Sequence, residues 1–317
     1  MNSRLYNCLK VFDTILKTAR EHQIKRILLN GDILEDSGWI EVETYNALYR
    51  KLEMLYDAGL EIVINLGNHD VYAELDGKLC HSLTPFRKIA RVIEKPALVW
   101  GCVWVVPWMS SPERFKETIK SLQASKEYCL VAHCGVQGAK TGPKGYLVRN
   151  PIKLRDLRYR EFRLVLLSDY HHSQFLAKGV LYLGSPLQHS FGEIHHPGIW
   201  IVSDKGLKKV HTGLPQFHRI KVSSVEQLKE KTKEHENDYY SVQISTGSSS
   251  RQAYIEAAAK SLGIRFKLEA RREDESGEIS TSSLAFNPLR AIQRYAKRKN
   301  CRTQTRKLGL RLYEGDV

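Results

Sequence analysis

The chain has 317 residues, 42% of them hydrophobic and 26% charged, and 49 Lys+Arg against 35 Asp+Glu give a formal charge of +14. That composition is globular and excludes wholesale disorder, and at about 150 residues per domain the length predicts two domains with a sizeable core. The longest mostly apolar stretch, Ala97 to Met109, is broken by Gly101 and Pro107 and falls far short of the ~20 residues a membrane-spanning helix needs. The positive surplus points to a polyanionic partner, and charge alone does not choose between nucleic acid and an anionic membrane surface.

The opening residues Met1 to Lys10 lack the apolar core of a secretory signal. Leu5, Cys8, Leu9, Phe12, Ile15, Leu16 and Ala19 recur at intervals of three and four, one apolar face of an amphipathic helix over residues 4–22. A pattern then appears four times, in which a short apolar run reads as a buried strand and metal-binding side chains follow at its C-terminal end. The runs start at Arg26 before Gly31-Asp32, at Glu61 before Gly67-Asn68-His69-Asp70, at Tyr128 before His133, and at Phe162 before Ser168-Asp169-Tyr170-His171-His172. Near-continuous apolar strands of this kind are covered on both faces and predict an α/β sheet. Tyr45, Leu48, Leu52, Leu55 and Tyr56 form a second helical stripe ending near Gly59. Val180 to Tyr182 and Gly198 to Val202 read as further strands, and the first domain is expected to end near residue 213.

From Phe217 a β-α-β-α-β order follows: strands over 217–222, 240–244 and 264–270, and helices over 225–235 and 251–262. The polar stretch from Arg271 to Ser283 reads as a linker. Asn287-Pro288 then supplies an N-cap and first-turn proline for a helix with Leu289, Ile292 and Ala296 on one side. From Pro288 to Tyr313 there are nine Lys/Arg, among them Arg290, Arg294, Lys297 and Arg298, and no acidic residue. Such a run is either a solvated basic tail or a contact for DNA or a partner protein. The six cysteines show no C-x-x-C pair or framework spacing, which reads as reduced thiols in a cytoplasmic protein. Gly138 to Lys144 lacks the spacing of a phosphate-binding loop and reads as a mobile loop without ATP chemistry.

One Asp after a strand is often a turn former and one His often packs. Four clusters in succession, offering Asp32, Asn68, His69, His133, Asp169 and His171, point instead to a dinuclear metal site. Oxygen and imidazole ligands without thiolate suit Mn, Fe, Mg or Zn held for hydrolysis, where two ions about 3.5–4 Å apart activate water and clamp a phosphorus centre.

Gly31-Asp32, then Gly67-Asn68-His69-Asp70, then the strand-terminal His133, then the motif Ser168 to His171 resemble, in that order, the calcineurin-like metallophosphoesterases. The segment Leu183-Gly-Ser-Pro-Leu-Gln-His-Ser-Phe-Gly-Glu193, followed by a cap of this size, is similar to the SbcD family of DNA-repair nucleases, phage relatives included. The resemblance spans nearly the whole chain. It implies an α/β metallophosphoesterase sandwich over 1–213, a small α+β capping domain over 214–271, and a linker with a basic helical tail over 272–317. It also implies two divalent ions, Mn first, with Mg or Fe as alternatives. Asp32 would bridge them, and Asn68, His133 and Asp169 would complete the second. His171 would bind the first, with His172 pointing away unless the two exchange roles. His69 would face the scissile phosphate rather than bind an ion, its ring oriented by Asp70. The implied partners are DNA and an SbcC-like ATPase anchored by Leu289 and Ile292, with a homodimer and no membrane.

Two features depart from the family pattern. Asp169 stands where a histidine ligand is usual, and a carboxylate there makes the site more negative and more suited to Mn or Mg. The family also opens on a strand ending in D-x-H, which supplies the first ion with an Asp and a His, and none precedes Asp32. Asp13 and His22 have the wrong spacing. The first ion then keeps only Asp32 and His171, and the expectation is that the reading frame begins late, with hydrolysis impaired or absent otherwise. The readings that follow are a DNA exonuclease/endonuclease subunit, another calcineurin-like phosphoesterase (phosphatase or cyclic-nucleotide phosphodiesterase), or a catalytically impaired DNA-binding subunit.

Overall fold

The computed structural model describes residues 3–269, apart from 76–77, 143–145, 194–195, 234–236 and 246–248. Helix α1 (Ser3–Glu21) turns its apolar stripe onto the sheet side, with Val11, Ile15 and Ala19 buried. Strand β1 (Arg26–Asn30), helix α2 (Val42–Asp57) and strand β2 (Glu61–Asn65) follow, then the hairpin β3 (Val71–Leu75) and β4 (Lys78–His81). Next come β5 (Arg91–Ile93), β6 (Ala97–Val99), β7 (Val103–Val106), α3 (Pro112–Ser121) and β8 (Cys129–His133). Within the segment expected to be a mobile loop, Lys140–Thr141 forms β9, which pairs antiparallel with β10 (Tyr146–Leu147) just beyond it. Strands β11 (Leu164–Ser168), β12 (Gln174–Ala177) and β13 (Val180–Tyr182) lead to the hairpin β14 (Gly198–Ser203) and β15 (Gly206–His211).

The fold is mixed α/β. Strands β1, β2 and β5 form a parallel three-stranded sheet. A six-stranded sheet has the order β12-β13-β11-β8-β7-β6, parallel at its centre with antiparallel strands at both edges. Period-two alternation explains why the central strands are apolar almost throughout. On β2, Ile62 and Ile64 face the core beneath α1 and α2, whereas Val63 joins Val131 of β8 and Leu166 of β11 between the two sheets. On β8 and β11, Leu130, Ala132, Val165 and Leu167 face α3, where Phe115 and Ile119 lie. Among the described residues β1 pairs only with β2, so its Arg-Ile-Leu-Leu-Asn run, which reads as an interior strand, lies at an edge.

Leu52 is fully buried in the core shared by α1, α2 and the three-stranded sheet. Leu52→Ala removes that packing, and we expect it to cost about 2–5 kcal/mol of stability in denaturant unfolding.

After residue 213 the chain builds β16 (Phe217–Val222), α4 (Val225–Thr232), β17 (Tyr239–Ile244), α5 (Ser249–Ser261) and β18 (Arg265–Glu269). The three strands are parallel with β17 central. They have their own core around Leu228, Tyr240, Val242 and Ile255. Helix α4 stops at Thr232, short of the expected His235, and Ser224 caps it by accepting the Gln227 N–H. This part belongs to the same compact unit as the rest, Met1–Arg271. Across their contact, Arg4 of α1 lies over the Phe217 ring, which stacks on Tyr239, and Asn7 donates to the Tyr239 hydroxyl.

Candidate metal centre

The two sheets bring their carboxyl-terminal ends together. Asn30 and Asn65 are register partners at the ends of β1 and β2, and His133 and Ser168 are partners at the ends of β8 and β11. A buried polar seam joins the sheets there. Asn30 Nδ2 donates to the Ala132 carbonyl at 3.2 Å, and Asn65 Nδ2 donates to Asn30 Oδ1 at 2.8 Å and to the Val106 carbonyl at 3.0 Å. Neither asparagine stands out in the sequence, because each reads only as the last residue of an apolar run.

On this seam the side chains of Asp32, His133 and Asp169 each offer a ligand atom within 4.8 Å of one another. Asn68 adds a fourth candidate ligand, its amide oxygen 3.1 Å from His133 Nε2. His133 is fully buried, and its Nδ1 lies 3.0 Å from the Asn30 carbonyl, which takes the Nδ1 proton. Its Nε2 therefore points a lone pair at Asp32 Oδ2, 3.3 Å away, and at Asn68 Oδ1, 3.1 Å away. A neutral ring facing two oxygens is repulsive. The arrangement asks for a cation or for a second ring proton, and its oxygen-and-imidazole donor set fits a hard or borderline divalent ion.

The charges agree with that demand. Burial opposes ionisation of Asp32, but the hydrogen bond and charge of His133 outweigh it and hold the carboxyl below its ordinary range. Burial opposes charge on His133 too, and Asp32 outweighs it, so the imidazole lies above its ordinary range. Burial raises Asp169, with His133 lowering it and the neighbouring Asp32 raising it. Both carboxylates adopt positive φ, 53° at Asp32 and 119° at Asp169. Asp tolerates the first, whereas the second lies outside the left-handed region and costs about 1–3 kcal/mol, a strain typical of functional sites.

Close approach explains the two glycines of the first two clusters. A Cβ on Gly31 would lie 2.1 Å from His133 Nδ1, and one on Gly67 would lie 2.1 Å from Asp32 Oδ1 and 2.4 Å from Asp32 N.

His69 is exposed, and its backbone N–H donates to Asp32 Oδ1 at 3.0 Å. Its ring is not oriented by Asp70 as the resemblance implies. His69 Nδ1 lies 2.7 Å from the Glu35 carbonyl, while the buried Asp70 carboxylate accepts three backbone N–H groups. Those donors are Ile33 at 2.9 Å, Leu34 at 3.1 Å and Gly67 at 2.9 Å. Asp70 thus ties the segment after β1 to the segment after β2. Burial nonetheless keeps its carboxyl above the ordinary range against those hydrogen bonds.

His171 is not one of the three residues whose ligand atoms lie within 4.8 Å of one another, although its charge acts on Asp169. Its exposed ring meets Glu193, with Nδ1 2.8 Å from Oε1, and the His189 ring lies 4.8 Å away. Neither Glu193 nor His189 carries a metal-ligand spacing, so sequence pattern singles out neither. Burial, together with the charge of Asp169, raises the Tyr170 hydroxyl above its ordinary range. His196 is exposed, whereas Leu289, Arg290, Ile292, Arg294, Lys297 and Arg298 lie outside the described residues. The five described cysteines are free, and no described helix is long and apolar enough to cross a membrane. No family model matches the chain, and no curated protein matches it.

Proposed function

We propose that the chain is a calcineurin-like metallophosphoesterase of the SbcD nuclease type, a metal-dependent hydrolase of phosphodiester bonds at DNA ends. The observation that carries this reading is the His133 Nε2 lone pair turned onto Asp32 Oδ2 and Asn68 Oδ1, beside Asp169, where the ends of two sheets meet. Those four residues would hold one divalent ion, and Asp32 with His171 would contribute to a second, Mn being the first choice and Mg or Fe the alternatives. When bound, such ions supply an activated water and stabilise charge on the attacked phosphate.

The chain's own part in the chemistry falls to His69. With Nδ1 held by the Glu35 carbonyl, the exchangeable position is Nε2, and in the protonated ring it donates to the leaving oxygen. The positive surplus of the chain favours a polyanionic substrate and a steep salt dependence of binding. An SbcC-like ATPase partner, a homodimer and a cytoplasmic site of action belong to the same reading.

The test is a Mn-dependent assay on linear duplex DNA beside a small phosphomonoester. Metal-stimulated DNA cleavage with little release from the phosphomonoester is expected. The reverse preference would replace the nuclease reading with a small-molecule phosphatase. That only Asp32, His133 and Asp169 form a mutually close trio among the described residues, with no D-x-H strand before Asp32, favours a second reading, a catalytically impaired DNA-binding subunit. Salt-sensitive DNA binding without metal-stimulated cleavage would select it.

A further inference from the structure

We infer that Glu193 is the positioning residue for the His171 imidazole and fastens the whole Gly184–Glu193 segment around that ring. This rests on the metallophosphoesterase reading only in taking His171 as an ion ligand.

Three contacts build the arrangement. The Glu193 carboxylate takes the His171 ring at 2.8 Å through Oε1 and the His189 backbone N–H at 3.0 Å through Oε2. At the other end of the segment, the Ser185 N–H donates to the His171 carbonyl at 3.0 Å. His171 is therefore gripped by both its ring and its backbone, from positions eight residues apart on one segment.

The Gly-Ser start of the segment follows from the same closeness. Gly184 has φ of 77°, and a Cβ there would lie 2.9 Å from the His171 carbonyl oxygen and 2.7 Å from Ser173 N. Ser185 Oγ lies 3.1 Å from His189 Nε2 and also bonds the Leu187 carbonyl, fixing the chain between the two grips. The segment that distinguishes the resemblance thus has a job that none of the ion ligands performs.

A carboxylate carries no proton, so the proton of the His171–Glu193 bond sits on Nδ1 and the lone pair of the neutral ring is left on Nε2. The side chain of His171 is 51% exposed and that of Glu193 is 15% exposed, so the carboxylate is the fixed partner and the imidazole the one that would otherwise turn. This is the geometry by which a carboxylate behind a histidine fixes its tautomer and aims it at a metal, worth 10–100-fold in affinity by general experience, or on the order of that here.

The experiment compares the full chain with Glu193→Ala and Glu193→Gln, using Mn titration by calorimetry and ¹⁵N imidazole spectra of the metal-free protein. The wild type is expected to show His171 as the Nδ1–H tautomer. Glu193→Ala should mix the tautomers and weaken one ion by roughly 10–100-fold while leaving the ion of Asp32, Asn68, His133 and Asp169 in place. Glu193→Gln keeps an oxygen to accept the Nδ1 proton, so it should hold the tautomer and stay within a few-fold of wild type. Unchanged tautomer and affinity in a folded Glu193→Ala would overturn the inference. So would a Glu193→Gln loss as deep as that of Glu193→Ala, because the carboxylate would then act by its charge or as a ligand. A wild type that binds no Mn yet shows the Nδ1–H tautomer, lost in Glu193→Ala, would sink the metal reading and leave the positioning role standing.

Discussion

On the proposed reading, Asp32→Asn is expected to abolish Mn binding and DNA hydrolysis together, whereas His69→Ala is expected to remove hydrolysis and leave Mn binding nearly intact. The contrast follows from what each side chain touches. Asp32 sits in the group with His133 and Asp169 and faces the His133 lone pair at 3.3 Å. Asn tolerates the φ of 53° found there and still accepts the His69 N–H, so the substitution removes charge with little disturbance of the backbone. Rate losses on the order of 10²–10³ or more are expected, the scale of deleting an electrostatic element at the reacting centre. Among the described residues the exposed His69 ring is held through its Nδ1 by the Glu35 carbonyl, and if it serves as the proposed general acid its loss should cost hydrolysis about 10²–10⁴-fold. Calorimetric Mn titration beside the nuclease assay checks both variants. Equal loss of Mn in the two would mean that His69 is itself a ligand.

Asp70→Ala is expected to produce the larger structural failure, although Asp70 adjoins His69. Its carboxylate is fully buried and accepts from Ile33, Leu34 and Gly67. Truncation leaves those three backbone donors without their acceptor, at about 1–3 kcal/mol for each group that stays unsatisfied. A loss of about 3–5 kcal/mol in equilibrium unfolding is the expected result, with ion binding lost because the segment carrying Asp32 is no longer tied to that carrying Asn68. Asp70→Asn retains one oxygen acceptor and should fall between wild type and Ala. If Asp70→Ala unfolds like the wild type and loses only activity, the carboxylate serves the chemistry and the structural role is wrong.

What sequence pattern conveys about this molecule is set by range. Strands β2, β8 and β11 were legible because a strand buried on both faces must be apolar almost throughout, and β1 was legible from its apolar run although it lies half-buried at an edge. The β-α-β-α-β order after Phe217 was legible from its alternating strand-like and helical stretches, to within a turn at α4. The β3–β4 and β9–β10 hairpins were not, since their strands alternate weakly and expose much of their side-chain surface. Within the site, residue types announced Asp32, Asn68, His133 and Asp169. The Asn30–Asn65 seam and the Glu193 grip depend on partners far along the chain, and one-dimensional spacing carries no such information. Asp70 shows the limit most plainly: its place beside His69 suggests chemistry, and its three hydrogen bonds go to backbone.

The candidate ligand set draws on both sheets in equal measure, Asp32 and Asn68 following β1 and β2, and His133 and Asp169 at the ends of β8 and β11. An ion held there would be a non-covalent crosslink between two layers that also meet at that level through the asparagine seam and the bond from His133 to the Asn30 carbonyl. Folding cooperativity and catalysis would then draw on one reservoir: each tenfold excess of ion over its dissociation constant adds about 1.4 kcal/mol against separation of the layers. Starvation for the ion would loosen the protein as well as silence it, so its abundance in a cell would follow metal supply.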